Sequence, residues 1–215
     1  MKTLLLKDAV AMIPDGATVM IGGFMGVGTP ARLIDELVRQ GKRNLTVIAN
    51  DNALPGVGIG KLISAAVVSK TIASHIGLNP ETQKKMLAGE LEVDLVPQGT
   101  LIERIRAGGF GLGGVLTPTG VGTVVEKGKQ RIEVEGKPYL LETALRADFA
   151  LVQAFVADYF GNLGYALTAR NFNPVIAMAA DTVIVEADNI VPVGVIAPDQ
   201  VMTPAPVVDY IVSHA

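Results

Sequence analysis

No cysteine occurs among the 215 residues. Its absence excludes a disulfide framework, a thiolate metal site and a cysteine nucleophile. Histidine is almost as scarce: His75 and His214 are the two present, so a mechanism needing several imidazoles is excluded. Charged residues make up 18% and the net charge is −3, which leaves no basic footprint for nucleic acid. Long hydrophobic runs are missing too. Mean hydropathy is +0.42, yet the most apolar stretch, Val175 to Val185, is cut by Asp181. No run approaches the roughly 18 residues of a membrane-spanning helix. The opening MKTLLLKD has only three leucines before Lys7 and Asp8, too short a run for a signal peptide. A cytoplasmic protein with no membrane segment is the expectation.

What is present is apolar. Hydrophobic residues reach 49%, which argues against disorder. High hydropathy without a span points to parallel strands covered on both faces. The sequence repeats a short apolar strand, a glycine-rich turn and a helix. Thr18 to Ile21 reads as a strand, and Pro30 to Gln40 as a helix with Thr29 as N-cap and Gly41 as its stop. Strands are predicted at Leu45 to Ala49, Val67 to Ala73, Leu91 to Val96, Phe149 to Val156 and Thr182 to Val185. Asn79-Pro80 opens a second helix that stops at Gly89. A third follows Pro97-Gln98-Gly99, with Thr100 and Glu103 as a capping box. GGFGLGGVLTPTGVGT, residues 108–123, holds seven glycines and no periodicity, and reads as a functional loop. Arg131 to Leu141 alternates around Glu135-Gly136-Lys137, a β-hairpin. Together these predict one α/β domain over residues 1–215, an open, mainly parallel sheet flanked by helices with a β-hairpin excursion.

DGATVMIGGFMGVGTPARLIDEL, Asp15 to Leu37, places glycines where a strand hands over to a helix N-terminus. Free N–H groups and the helix dipole favour an anion there, and missing Cβ atoms let a ligand approach. A plain tight turn is the competing reading. Gly23, Gly26 and Gly28 run G-x-x-G-x-G, which is not the dinucleotide fingerprint. PGVGIGKL at 55–62 lacks the first glycine and the Ser/Thr of a P-loop. No G-x-S-x-G or H-E-x-x-H occurs, and His75 reads as a packed histidine. Most of the 21 carboxylates fall on helical faces or in turns. Gln98 stands apart, at the C-terminal end of a strand, where ligands bind in open α/β sheets. Its amide can donate to an oxyanion but cannot act as nucleophile or base. Spacing thus gives half of an active site.

D-G-x-x, three apolar residues, then G-G-F-x-x-x-G-x-P resembles the signature of family I coenzyme A transferases, α subunit, of the acetate/acetoacetate type. The similarity continues through IANDNA, ASHIGLNPET, GELEVDLVPQGTLIERIRAGG, LTPTGVGTVVE and ARNFNP. The resemblance implies a hetero-oligomeric enzyme that moves CoA from an acyl-CoA to a short-chain carboxylate in ping-pong order. The nucleophilic glutamate is expected in an S-E-N-G motif of a β subunit, and no such motif occurs here. The CoA-binding segment maps to Phe24, Met25, Gly26, Val27, Gly28, Thr29 and Pro30, and the oxyanion donor to Gln98. Asp51-Asn52 stands where some relatives carry an asparagine pair, so Asn52 is expected in the substrate pocket and position 51 departs. The Gly108–Gly114 loop, with Gly113 and Gly114, is expected to wall the acyl pocket. CoA thioester is then a substrate, with no permanently bound cofactor and no metal. A succinyl-CoA:3-oxoacid transferase subunit is the alternative within the class. A stand-alone sugar-phosphate isomerase or ligand sensor of similar fold is the alternative outside it.

Overall fold

The computed structural model describes residues 2–212; His214 lies outside them. The first half of the chain runs β1 (Lys2–Leu4), α1 (Leu6–Ala11), β2 (Thr18–Ile21), α2 (Ala31–Arg39), β3 (Leu45–Asp51), α3 (Ile59–Ser64), β4 (Val68–His75), α4 (Pro80–Leu87), β5 (Glu92–Leu95) and α5 (Gln98–Gly109). The second half runs β6 (Gly114–Thr117), β7 (Arg131–Val134), β8 (Lys137–Thr143), β9 (Ala147–Asp158), β10 (Leu163–Gly164), α6 (Asn173–Ile176), β11 (Ala180–Val191) and β12 (Tyr210–Val212).

The main sheet has the order β1-β12-β11-β9-β2-β3-β4-β5, with β10 added antiparallel on β9 and every other pairing parallel. Because side chains alternate across a strand, its apolar runs feed two cores. Val19, Ile21, Val47, Ala49, Leu151 and Ile184 face one layer, which α1, α2 and α3 cover through residues such as Val10, Leu33 and Leu62. Met20, Ile48, Ala150, Val152, Val183 and Val185 face the other, beneath Leu101 and Ile105 of α5 and Ile176 of α6. This explains the high hydropathy of a chain with no helix long and apolar enough to cross a membrane among the described residues.

The hairpin forms β7 and β8 around Glu135 and Gly136, both with positive φ, the backbone a two-residue I′ turn requires. It joins β6 in a separate three-stranded antiparallel sheet. The glycine-rich stretch 108–123 is therefore not one loop. Gly108 and Gly109 end α5, and Gly114 opens β6 opposite Thr143. A Cβ at Gly108 would lie 2.0 Å from the Leu145 carbonyl oxygen and one at Gly114 would lie 2.4 Å from that of Glu142. These glycines serve close backbone packing.

Two helix starts also differ from the sequence reading. α5 begins at Gln98, so Thr100 lies inside it and the Thr100–Glu103 capping box does not form. Glu103 pairs with Arg106 instead. The N-cap position of α2 is Pro30 rather than Thr29, and no neighbouring side chain caps it. In α4, by contrast, Asn79 caps as expected, accepting the Thr82 N–H at 3.0 Å.

Sheet order also fixes where a ligand site can lie. Strands β2 to β5 step outward in one direction and β9, β11 and β12 in the other, so the order reverses between β2 and β9. Crevices outside the carboxyl ends of the strands at such a reversal are the usual ligand sites of open α/β sheets.

Candidate active site

The turn after β2 forms one wall. Phe24 and Val27 exchange backbone hydrogen bonds, each 2.9 Å, around Met25 and Gly26. Their φ angles are +51° and +85°, again a I′ turn. A long side chain is costly in that region. Met25 is held there by its N–H, which donates to Asp51 Oδ2 at 2.9 Å. At Gly28, a Cβ would come within 2.7 Å of Ala169 Cα. The missing side chains at Gly22 and Gly23 likewise make room for Asn173 and Thr29 of the protein itself.

The positive end of α2 is not left for an anionic ligand. Glu186 in β11, buried at 6% exposure, accepts the Arg32 and Leu33 N–H groups at 3.3 and 2.9 Å and pairs with the Arg32 guanidinium at 3.3 Å. Of the two readings of this stretch, the structure gives the Arg32 and Leu33 N–H groups to the protein's own carboxylate, 153 residues downstream of Leu33. Glu186→Ala should cost about 1–3 kcal/mol, lowering the melting temperature by roughly 5 °C, with kcat unchanged. Calorimetry beside steady-state kinetics checks this. A lost kcat at unchanged stability would instead make Glu186 a reacting group.

A second wall comes from the ends of β3, β4 and β5. Asp51 pairs with His75 across β3 and β4, and Gln98 follows β5. Gln98 Nε2 donates to Asn50 Oδ1 at 2.6 Å, and Asn50 Nδ2 donates to Asp51 Oδ2 at 2.7 Å. The Ala53 N–H donates to Asp51 Oδ1 at 2.7 Å. The Ser74 hydroxyl donates to the Asn50 carbonyl at 2.7 Å.

Two cavities flank these walls. One, of about 460 Å³, is lined by Phe24, Gln98, Gly99, Ile102 and Phe172, with Thr168, Arg170 and Asn171. The other, of about 410 Å³, is lined by Phe24, Met25, Asn50, Asp51, Ser74, His75, Leu78 and Gln98. Phe24 and Gln98 lie in both, so they stand between an apolar side and a polar side of one groove. Asp51 is the sole carboxylate in the two linings. No cluster of His, Cys, Asp and Glu suited to a metal exists among the described residues.

Of the site residues predicted from sequence, Phe24, Met25 and Gln98 line the groove. Asn52 does not. It is buried at 1% exposure, accepting from the Thr71 hydroxyl at 3.0 Å and donating to that of Thr82 at 3.4 Å. Its neighbours Asn50 and Asp51 take the lining positions, while Asn52, just past the end of β3, is held inward by Thr71, Thr82 and the Asn79 side chain, which donates to its carbonyl at 3.1 Å. Gly113 and Gly114 belong to neither lining and sit at the start of β6. His75, expected to be packed, is exposed at the mouth of the polar side. Sequence reasoning passed over Asn50, Ser74 and Arg170 as site residues. Their signal was position, immediately beyond or at strand ends and within ARNFNP.

The turn itself can be probed by Gly26→Val. The substitution puts a β-branched residue at φ +85°, with its Cβ 3.0 Å from Val57 Cγ1. A folded enzyme with kcat/KM lowered at least tenfold is the expected result, measured on the assembled protein. Unaltered kinetics would reduce the segment to a connector.

The family model described as Coenzyme A transferase matches residues 3–214. Over 211 residues the chain is 57% identical to the alpha chain of the acetate CoA-transferase of Escherichia coli, covering 98% of this chain and 96% of that one. It is 54% identical to the alpha chain of the acetoacetyl-CoA:acetate/butyrate CoA transferase of Clostridium acetobutylicum, with 99% and 98% covered. One of the chains of the succinyl-CoA:3-ketoacid coenzyme A transferase of Xanthomonas campestris is 47% identical, with 97% and 87% covered. Among solved structures, an acyl-CoA transferase of Escherichia coli in a thioester complex with CoA matches with a TM-score of 0.87 at 24% identity. That match covers 99% of this chain and 47% of the other, so this chain spans about half of it and the likeness speaks to fold. With the parallel sheet, the strand-end groove and these matches in agreement, the chain belongs to the coenzyme A transferase family.

Proposed function

We propose that residues 1–215 act as one domain, the α subunit of a two-chain enzyme that transfers CoA from acetyl-CoA, acetoacetyl-CoA or a similar donor to a short-chain carboxylate. One observation carries this reading. The groove offers a positioned amide donor, Gln98, and its sole carboxylate, Asp51, already accepts three N–H bonds. It has an oxyanion donor and no free carboxylate to act as the nucleophile.

On this reading the attacking glutamate belongs to the S-E-N-G motif of a β subunit. Its carboxylate adds to the thioester carbonyl, CoA thiolate leaves, and an acyl-glutamyl anhydride forms. The thiolate then attacks the glutamyl carbonyl and releases the first acid, leaving a glutamyl-CoA thioester. The acceptor acid repeats the sequence in reverse. Each addition places negative charge on an oxygen, where the Gln98 N–H donates. Phe24 to Pro30 is the CoA-binding segment on this reading, with Phe24 and Met25 at the groove. The relatives named as alpha chains support a partner chain. So does the exposed apolar surface beyond the groove, where Phe155, Tyr159, Phe160, Leu167 and Val195 are each at least 50% exposed. The cytoplasm, where CoA thioesters are at hand as substrates, is the location that goes with this reading.

Acetate and acetoacetate rank ahead of succinate because the relatives of higher identity carry those names. The test is a screen of the reconstituted pair, with acetyl-CoA, acetoacetyl-CoA and succinyl-CoA as donors against acetate, butyrate and acetoacetate. Highest kcat/KM for the acetyl and acetoacetyl donors is expected. A preference for succinyl-CoA would move the chain to the 3-oxoacid branch.

A further inference from the structure

We infer that Asp51 is a positioning residue for Gln98: through Asn50, its carboxylate fixes which end of the Gln98 amide is the donor. The inference rests on the reading of Gln98 as oxyanion donor and adds what holds it in that state.

A primary amide has two chemically opposite ends of nearly the same shape, and a side chain half-turn exchanges them. An oxyanion site needs the nitrogen end fixed, since a carbonyl lone pair in its place would repel the developing charge. Nothing in Gln98 itself makes that choice. The structure makes it in two steps. The Asp51 carboxylate oxygens accept from the Met25 and Ala53 N–H groups, and Oδ2 lies 2.7 Å from the Asn50 amide, so Asn50 must turn its NH2 toward it. That leaves Asn50 Oδ1 facing Gln98 at 2.6 Å, and Gln98 must answer with an N–H. One proton of Nε2 is spent on this bond and the other stays available to the groove. An asparagine at position 51 would not fix the direction, because whichever way it turned its NH2 would face a backbone N–H, that of Met25 or that of Ala53, and neither orientation is singled out. The same Asp51 oxygen accepts the Met25 N–H at 2.9 Å, so one carboxylate ties the donor amide to the Phe24–Val27 turn across the groove.

A purely structural role for Asp51, holding the turn through Met25 and Ala53, is the competing account, and a double-mutant cycle on the assembled α–β enzyme separates the two. The reaction of acetoacetyl-CoA with acetate is followed for Asp51→Asn, Asn50→Ala and Gln98→Ala, and for each of the first two combined with the third. Asp51→Asn and Asn50→Ala should each lower kcat by roughly 10- to 100-fold and leave KM for acetoacetyl-CoA within about threefold. In the Gln98→Ala background the same changes should cost less than about threefold, because the group they act through is gone. Asn50→Ala leaves both backbone bonds to Asp51 in place, so it tests the relay even if Asp51→Asn fails to assemble. Equal losses with and without Gln98 would overturn the inference and assign Asp51 to the turn. A fully active Gln98→Ala enzyme would instead overturn the donor reading itself, and the relay with it.

Discussion

Purified without a β partner, the chain should show no CoA transfer at all, and mixing it with that partner should restore turnover. Each glutamate that the fold brings inside or pairs already has an occupation. Glu36 is buried against Arg39, whose side-chain hydrogen bonds hold its carboxyl below the usual carboxylate range. Glu142, 2% exposed, pairs with Lys129 at 2.5 Å in the small sheet. Glu186 caps α2, and Glu92, Glu103 and Glu126 pair with Lys70, Arg106 and Arg131. None of them lines the groove. A covalent thioester needs a carboxylate free to attack, and in the groove Asp51 is not free. Activity of the lone chain, assayed at high protein concentration with acetoacetyl-CoA and acetate, would refute the two-chain reading.

Replacing Gln98 by alanine should lower kcat by about 10²–10³, the usual cost of one oxyanion donor. Both half-reactions pass through a tetrahedral oxyanion, so both should slow by similar factors, with KM changing much less. Stability should hold, because the side chain is exposed and its one bond is to Asn50. Stopped-flow measurement of each half-reaction is the check. A loss confined to KM would make Gln98 a ground-state binding group.

The fold's elements were legible where the determinants are local. The positive-φ pair Glu135–Gly136 and the Asn79 cap follow from neighbours in sequence, and the structure has both. Strand extents were not. β9 and β11 each run 12 residues, past their apolar runs, because they pair with each other through Asn189↔Val156 and Val191↔Asp158. That pairing carries Glu186 inside a strand rather than at its end, and so to the start of α2. The glycines of the opening stretch were visible, but what fills the space beside them was not. Asn173 and Ala169 arrive from some 145 residues away. The same holds for the site. Gln98 was visible at its strand end, whereas Asn50 and Asp51 gain meaning only when β3 and β5 end at one edge. Asn52 shows the limit most plainly: what draws it inward is Thr71, Thr82 and Asn79, 19 to 30 residues further along the chain.

The most direct measurement is to trap the covalent intermediate and map it. The assembled enzyme is incubated with acetoacetyl-CoA, reduced with borohydride and digested, and the modified peptide is identified by mass spectrometry. The reduced adduct should lie on a β-subunit glutamate within S-E-N-G and on no residue of this chain. An adduct on Glu186, or on any other carboxylate here, would contradict the assignment of this chain as the one that positions and stabilises but does not attack.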